Sequence, residues 1–155
     1  MSAPRYSAVA PAVALAAATA KTVIGAKAHA NSGLMLLGWE IAFDGVSATA
    51  VPGIVEICYA TFATNSPGTA STSITVGQVN GRALTAGFTA GHTWTTEPTV
   101  LTVLERILIS PNSALAIYDY PLGTEPDCAL GEGFAIRCTF PAIVNVTPTL
   151  KLARC

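Results

Sequence analysis

From Lys21 onward the apolar positions fall in short runs rich in Val, Ile and Thr, separated by Gly, Pro, Asn and Ser, with almost no sustained helical period. These runs predict strands near 21–29, 34–43, 54–63, 72–79, 82–94, 100–109, 114–120, 133–140 and 143–152. Turn formers stand between them, among them Asn31-Ser32-Gly33, Asn80-Gly81 and Pro121-Leu122-Gly123. The segment 100–109 is ambiguous, because Val100, Leu101, Val103, Leu104, Ile107 and Leu108 also trace the stripe of an amphipathic helix. As a strand it puts Leu101, Val103, Glu105, Ile107 and Ile109 on one face and Val100, Thr102, Leu104, Arg106 and Leu108 on the other. Pro98 and Pro111 bound a run that is short for a helix, which favours the strand. The most polar stretch, Thr64 to Ser73, predicts a long exposed loop.

Eight or nine strands with few helices predict an all-β chain, most economically a two-sheet β-sandwich of jelly-roll type. Immunoglobulin topology fits the strand pattern less well. Ahead of the strands, the alanine-rich residues 1–20 read as an apolar N-terminal arm, lying on a neighbour or pairing at an edge. The run is interrupted by Pro11, is only weakly apolar for a signal peptide, and is too short to span a membrane. The expected organisation is therefore an arm over 1–20 and a sandwich domain over 21–155. Arg5, Tyr6, Val9, Val13 and Leu15 are the arm's candidate protein-contact residues.

Charge narrows the partners. Eight Lys+Arg against nine Asp+Glu give a net charge of −1, which lacks the basic footprint of a nucleic-acid binder. Charged residues make up 11% of the chain, less than half the roughly 25% of an ordinary soluble domain. Such an exterior is suited to being covered, by copies of itself or by a larger assembly.

Candidate chemistry is sparse. Cys58, Cys128, Cys138 and Cys155 include no CxxC pair and read as free thiols, and His29 and His92 stand apart from them, so no metal site is expected. No GxSxG elbow accompanies the two histidines, and no strand, GxGxxG turn and helix follow in order to cradle a phosphate. The one local cluster of acids, Asp119, Glu125 and Asp127 in YDYPLGTEPD, lacks the EF-hand order and reads as acids capping turns. The aromatic residues are spread one or two to a strand, as a sandwich core has them. Neither catalysis nor a cofactor is expected.

Several longer motifs carry a resemblance: AAATAKTVIGAKAHAN, GWEIAFDGV, VEICYATFATNSPGTAS, GRALTAGFTAGHTWTTEPTVLTVLE, the YDYPLG turn and GFAIRCTFPAIVNVTPTL. In these, over nearly its whole length, the chain resembles small structural proteins encoded in the head region of tailed bacteriophages. The resemblance implies a β-sandwich virion protein, a capsid decoration or cement protein on the capsid exterior. Its implied partners are the major capsid protein and its own copies, as a homotrimer at three-fold positions. It brings no catalytic residue, membrane or nucleic acid with it. The ending LKLARC departs from the acidic finish expected of such chains. Two other readings remain: a receptor- or glycan-binding sandwich of a tail or fibre, marked by exposed aromatic rings beside residues 64–73, and a secreted trimeric jelly-roll resembling C1q and tumour necrosis factor, which requires a signal peptide.

Overall fold

The computed structural model describes residues 4–44, 49–113 and 115–155. Thirteen strands follow in order: β1 Arg5–Val9, β2 Val13–Leu15, β3 Lys21–Lys27, β4 Leu34–Asp44, β5 Gly53–Ala60, β6 Thr72–Ile74, β7 Gly77–Asn80, β8 Thr89–His92, β9 Leu101–Ile109, β10 Leu115–Asp119, β11 Asp127–Cys128, β12 Gly133–Thr139 and β13 Val144–Arg154. A single 3-10 turn, Pro111–Ser113, is the only helical element among the described residues, and no helix is long and apolar enough to cross a membrane.

All pairings are antiparallel and form two sheets packed into a sandwich, as the strand pattern predicts. The seven-stranded sheet runs β10-β4-β13-β1-β7, with β11 also pairing β4 and β2 also pairing β13. The six-stranded sheet runs β6-β8-β3-β12-β5-β9. Between them lies one core, in which Leu36, Trp39, Ile41, Leu150 and Leu152 meet Ile24, Val55, Ile57, Phe134, Ile136 and Phe140. The accessible surface, 7331 Å², matches the roughly 7,300 Å² that size scaling gives a compact monomer of this mass.

Four expectations change. The segment 1–20 is not an arm separate from the sandwich: β1 pairs β13 from Arg5↔Ala153 to Val9↔Thr149, and β2 pairs it from Val144↔Leu15 to Val146↔Val13. The run 72–79 is two strands, because the chain crosses from β6 in one sheet to β7 in the other at Thr75 and Val76. In the run 82–94 only Thr89–His92 is strand. Upstream of it the Gln78 side chain takes the place of a ladder partner, donating to Arg82 O at 2.6 Å and accepting from Leu84 N at 3.1 Å. Of the 64–73 stretch, residues 64–71 form a loop, but a tethered one, as described below, and Thr72 and Ser73 begin β6. The segment 101–109 is a strand, and its alternation of half-buried and exposed positions follows the two faces read from the sequence.

Candidate functional site

The two sheets treat their outer faces differently. In the six-stranded sheet the central strands β3, β5 and β12 are buried on both sides, with patterns iBBBBBi, BiBBBBiB and BBBBiBi. Their outer face is covered by the loops 61–71 and 93–100. Trp94 stacks on Phe62 with centroids 6.3 Å apart, and the pair packs with Ala60 and Ala135 in a second apolar cluster. Gly25 is required beneath them: a Cβ there would stand 3.0 Å from Trp94 Cη2 and 3.1 Å from Phe62 Cζ. The Trp94 indole donates to Asn65 O at 2.8 Å, Asn65 Nδ2 donates to Glu97 O at 2.9 Å, and Thr95 N donates to Ala70 O at 2.8 Å. Four of the five non-glycine residues with positive φ among the described residues, Phe62, Asn65, Thr93 and Val100, lie in these two loops.

The carboxylate buried on this covered face is fully paired. Glu56, nearly enclosed, accepts Arg106 Nε at 2.9 Å and Nη2 at 2.6 Å on one oxygen, and Arg137 Nε and Nη2, both at 2.7 Å, on the other. Burial pushes its pKa upward, but the hydrogen bonds and charges of the two arginines outweigh it and hold the carboxyl below its ordinary value. Glu97 accepts the Thr22 amide at 3.0 Å and the Thr22 hydroxyl.

Among the described residues, the outer face of the seven-stranded sheet has no such cover. Its strands alternate, eBiBe in β1 and BiBiBiBiBBe in β13, leaving Ser7, Val9, Thr147, Thr149 and Lys151 outward. β10 adds Leu115, Ile117 and Asp119, placed opposite Ala42, Glu40 and Gly38 of β4. Val9, Leu115 and Ile117 are more than half exposed. At the Lys151 end of this face a groove of about 760 Å³ is floored by Ser7, Lys151 and Leu37 and walled by Arg5 and Val79 on one side and Leu122 and Glu125 on the other.

One ion cluster crosses the floor. Lys151 Nζ lies 2.7 Å from Glu40 Oε1 and 2.8 Å from Asp119 Oδ1. Partial burial pulls the Lys151 pKa down, but the two carboxylates more than offset it and leave it raised. Gly38 makes room for the cluster, since the position of a Cβ there is taken by Asp119 Oδ1 and Tyr118 O. Glu125 accepts only the Gly123 amide, at 2.6 Å, and the Arg5 guanidinium has no acid partner among the described residues. Beside the groove, the buried Tyr120 hydroxyl lies against Glu105 and the Trp39 indole, and neither that hydroxyl nor the indole N–H makes a hydrogen bond of ordinary geometry among the described residues.

Of the five arm residues, Arg5 and Val9 are exposed and line the groove. Tyr6, Val13 and Leu15 point into this chain's own core, with Tyr6 edge-on to Phe88 at 5.5 Å and its hydroxyl donating to Leu84 O at 3.3 Å. Strand alternation puts them there: every second residue of β1 and β2 faces the opposite sheet. Sequence reasoning did not single out Glu40 and Lys151. It read Asp119 and Glu125 as turn caps, which holds for Glu125 but not for Asp119. The signal for Lys151 lies in the alternating VNVTPTLKL, where a lone lysine on the polar face of a central strand needs carboxylates from the strands beside it.

The remaining candidates lie apart. His29 Nδ1 accepts the Asn31 amide at 3.2 Å in a loop, and His92, whose pKa burial lowers, sits 2.8 Å from the Thr93 hydroxyl. All four cysteines are free, and burial raises Cys58 and Cys128 to about 11. Among the described residues no group of three or more His, Cys, Asp or Glu converges as a metal site would require. Compared with known proteins, the chain matches no family model, no curated protein and no solved structure.

Proposed function

We propose that this chain is a virion structural protein, a decoration or cement protein that coats the outer surface of a tailed-phage head in many copies. In this reading the major capsid protein is its partner and its copies close into trimers. The observation that carries the proposal is the uncovered face of the seven-stranded sheet. Five lanes of strand make it about 700 Å², close to the roughly 800 Å² each partner contributes to a stable interface. Its outward side chains are mostly small, apolar or hydroxylated, and its lysine, on the central strand β13, is already paired with Glu40 and Asp119. The resemblance to phage head proteins supplies the setting in which such a face is repeated many times.

The reading as a glycan- or receptor-binding sandwich has less support. It calls for exposed rings beside residues 64–73, where Phe62 and Trp94 are instead buried. The copy number of the chain in purified virions tests the proposal. A simple ratio to the major capsid protein is the expected result, a handful per particle would point to a tail component, and absence would end the virion reading.

A further inference from the structure

Resting on that reading, we infer that the groove at the Lys151 end of the open face is the seat of an extended peptide segment of the shell protein, and that this segment brings one basic side chain to Asp119 and Glu125. The charge balance of the groove selects the guest. Three carboxylates, Glu40, Asp119 and Glu125, face two cations, Lys151 and Arg5. Lys151 is shared between two of the acids, and Arg5 stands on the opposite wall, so the excess negative charge lies at the β10 side. Asp119 is 65% exposed at its side chain, so a second cation reaches it without displacing Lys151.

The walls select an extended chain. In a strand, side chains two residues apart point the same way and stand about 7 Å from one another. A basic residue over Asp119 and Glu125 therefore places the next like-facing side chain toward Ser7, with Val9 and Val79 as apolar shelves beyond it. Arg5, free of any acid, is left to take a main-chain carbonyl or an acidic residue of the same segment. A volume of about 760 Å³ is ample for such a stretch, within the roughly 300–1,000 Å³ of ordinary ligand clefts. On the other outer face Glu56 is already held by two arginines and the central strands are covered by the chain's own loops.

Two probes test the inference on the full chain: a capped valine-rich heptapeptide with a central lysine, and the same peptide with a central glutamate. At low salt the lysine peptide is expected to shift the backbone amide resonances of Ser7, Thr149 and Lys151, and to bind about fivefold more tightly than the glutamate peptide. The paired substitution Asp119→Asn with Glu125→Gln should erase that preference while the melting temperature stays near wild type. Equal binding of both peptides, shifts confined to another surface, or no binding at millimolar peptide would overturn the inference. So would sedimentation showing that a second copy of the chain occupies the groove. Particles loaded normally with the doubly substituted protein would refute the groove and leave the decoration role standing, whereas absence of the wild-type chain from virions would remove that role instead.

Discussion

The two outer faces of this sandwich are both built from antiparallel strands and end in opposite states. On the six-stranded sheet, Gly25, Ala60 and Ala135 keep the strand surface low enough for Phe62 and Trp94 to lie on it. The loops that bring those rings accept backbone strain at Phe62, Asn65, Thr93 and Val100, of the order of 1–3 kcal/mol for each residue. Such strain persists only where surrounding contacts over-determine it, and the indole, asparagine and threonine hydrogen bonds do so here. The strands of the seven-stranded sheet contain no positive-φ residue and carry no covering loop among the described residues, and one lysine serves two acids. The difference separates a face finished within the chain from one left for another molecule.

The largest test of that contrast is removal of residues 2–20. Because β1 and β2 supply Tyr6, Ala8, Ala10, Val13 and Leu15 to the core and cover one side of β13, the truncated chain should show no cooperative unfolding transition. A truncated chain that melts like the full one would return the segment to the status of a detachable arm. Next, Trp94→Ala on the covered face should cost about 3–5 kcal/mol in urea denaturation, while Ile117→Ala on the open face should stay within about 0.5 kcal/mol. Equal costs would erase the distinction between the faces.

Glu56→Gln should cost about 2–3 kcal/mol, below the usual range for breaking a buried pair because Arg106 is largely solvated. Since Glu56 is held below its ordinary pKa, its contribution is present at neutral pH and fades as the pH falls out of the ordinary glutamate range and through the lower folded value. The variant should therefore show a shallower acid limb in its melting temperature than wild type. Smallest of all, Lys151→Met should change stability by less than about 1 kcal/mol at neutral pH. Its raised pKa makes the ion-pair contribution of Lys151 fully present below about pH 10 and lost above it, so wild type and variant should converge only at strongly alkaline pH.

Much of this arrangement is legible in the sequence. The contrast between the faces is written in two kinds of strand: the near-continuous apolar runs KTVIGAK and GFAIRCT, buried on both sides, and the alternating VNVTPTLKL, buried on one. The segment around Leu104 carries helical spacing but forms an edge strand, because its bounding prolines and its pairing with β5 override a short stripe. The partners of Lys151 were not legible. Glu40 and Asp119 reach it only through the β4 and β10 registers, which no local pattern encodes. Nor could the sequence show that 64–73 is tethered, since that depends on Trp94 folding back over Gly25 from another part of the chain. The alanines of residues 1–20 concealed a strand pair, because alanine carries little β preference and only pairing with β13 makes the segment extended.

The position of β13 has a kinetic consequence. The strand at the centre of the seven-stranded sheet, β13, follows the twelve others in chain order, and Arg5 of β1 finds its neighbour at Ala153. Until residues 144–154 are made, β1, β2 and β4 have no common strand to join. Closure over so long a loop places folding at the slow end of the range for single domains, on the order of milliseconds to seconds. A nascent chain halted before Val144 would hold the six-stranded half of the sandwich with only the separate groups β1-β7 and β4-β10-β11 to pack against.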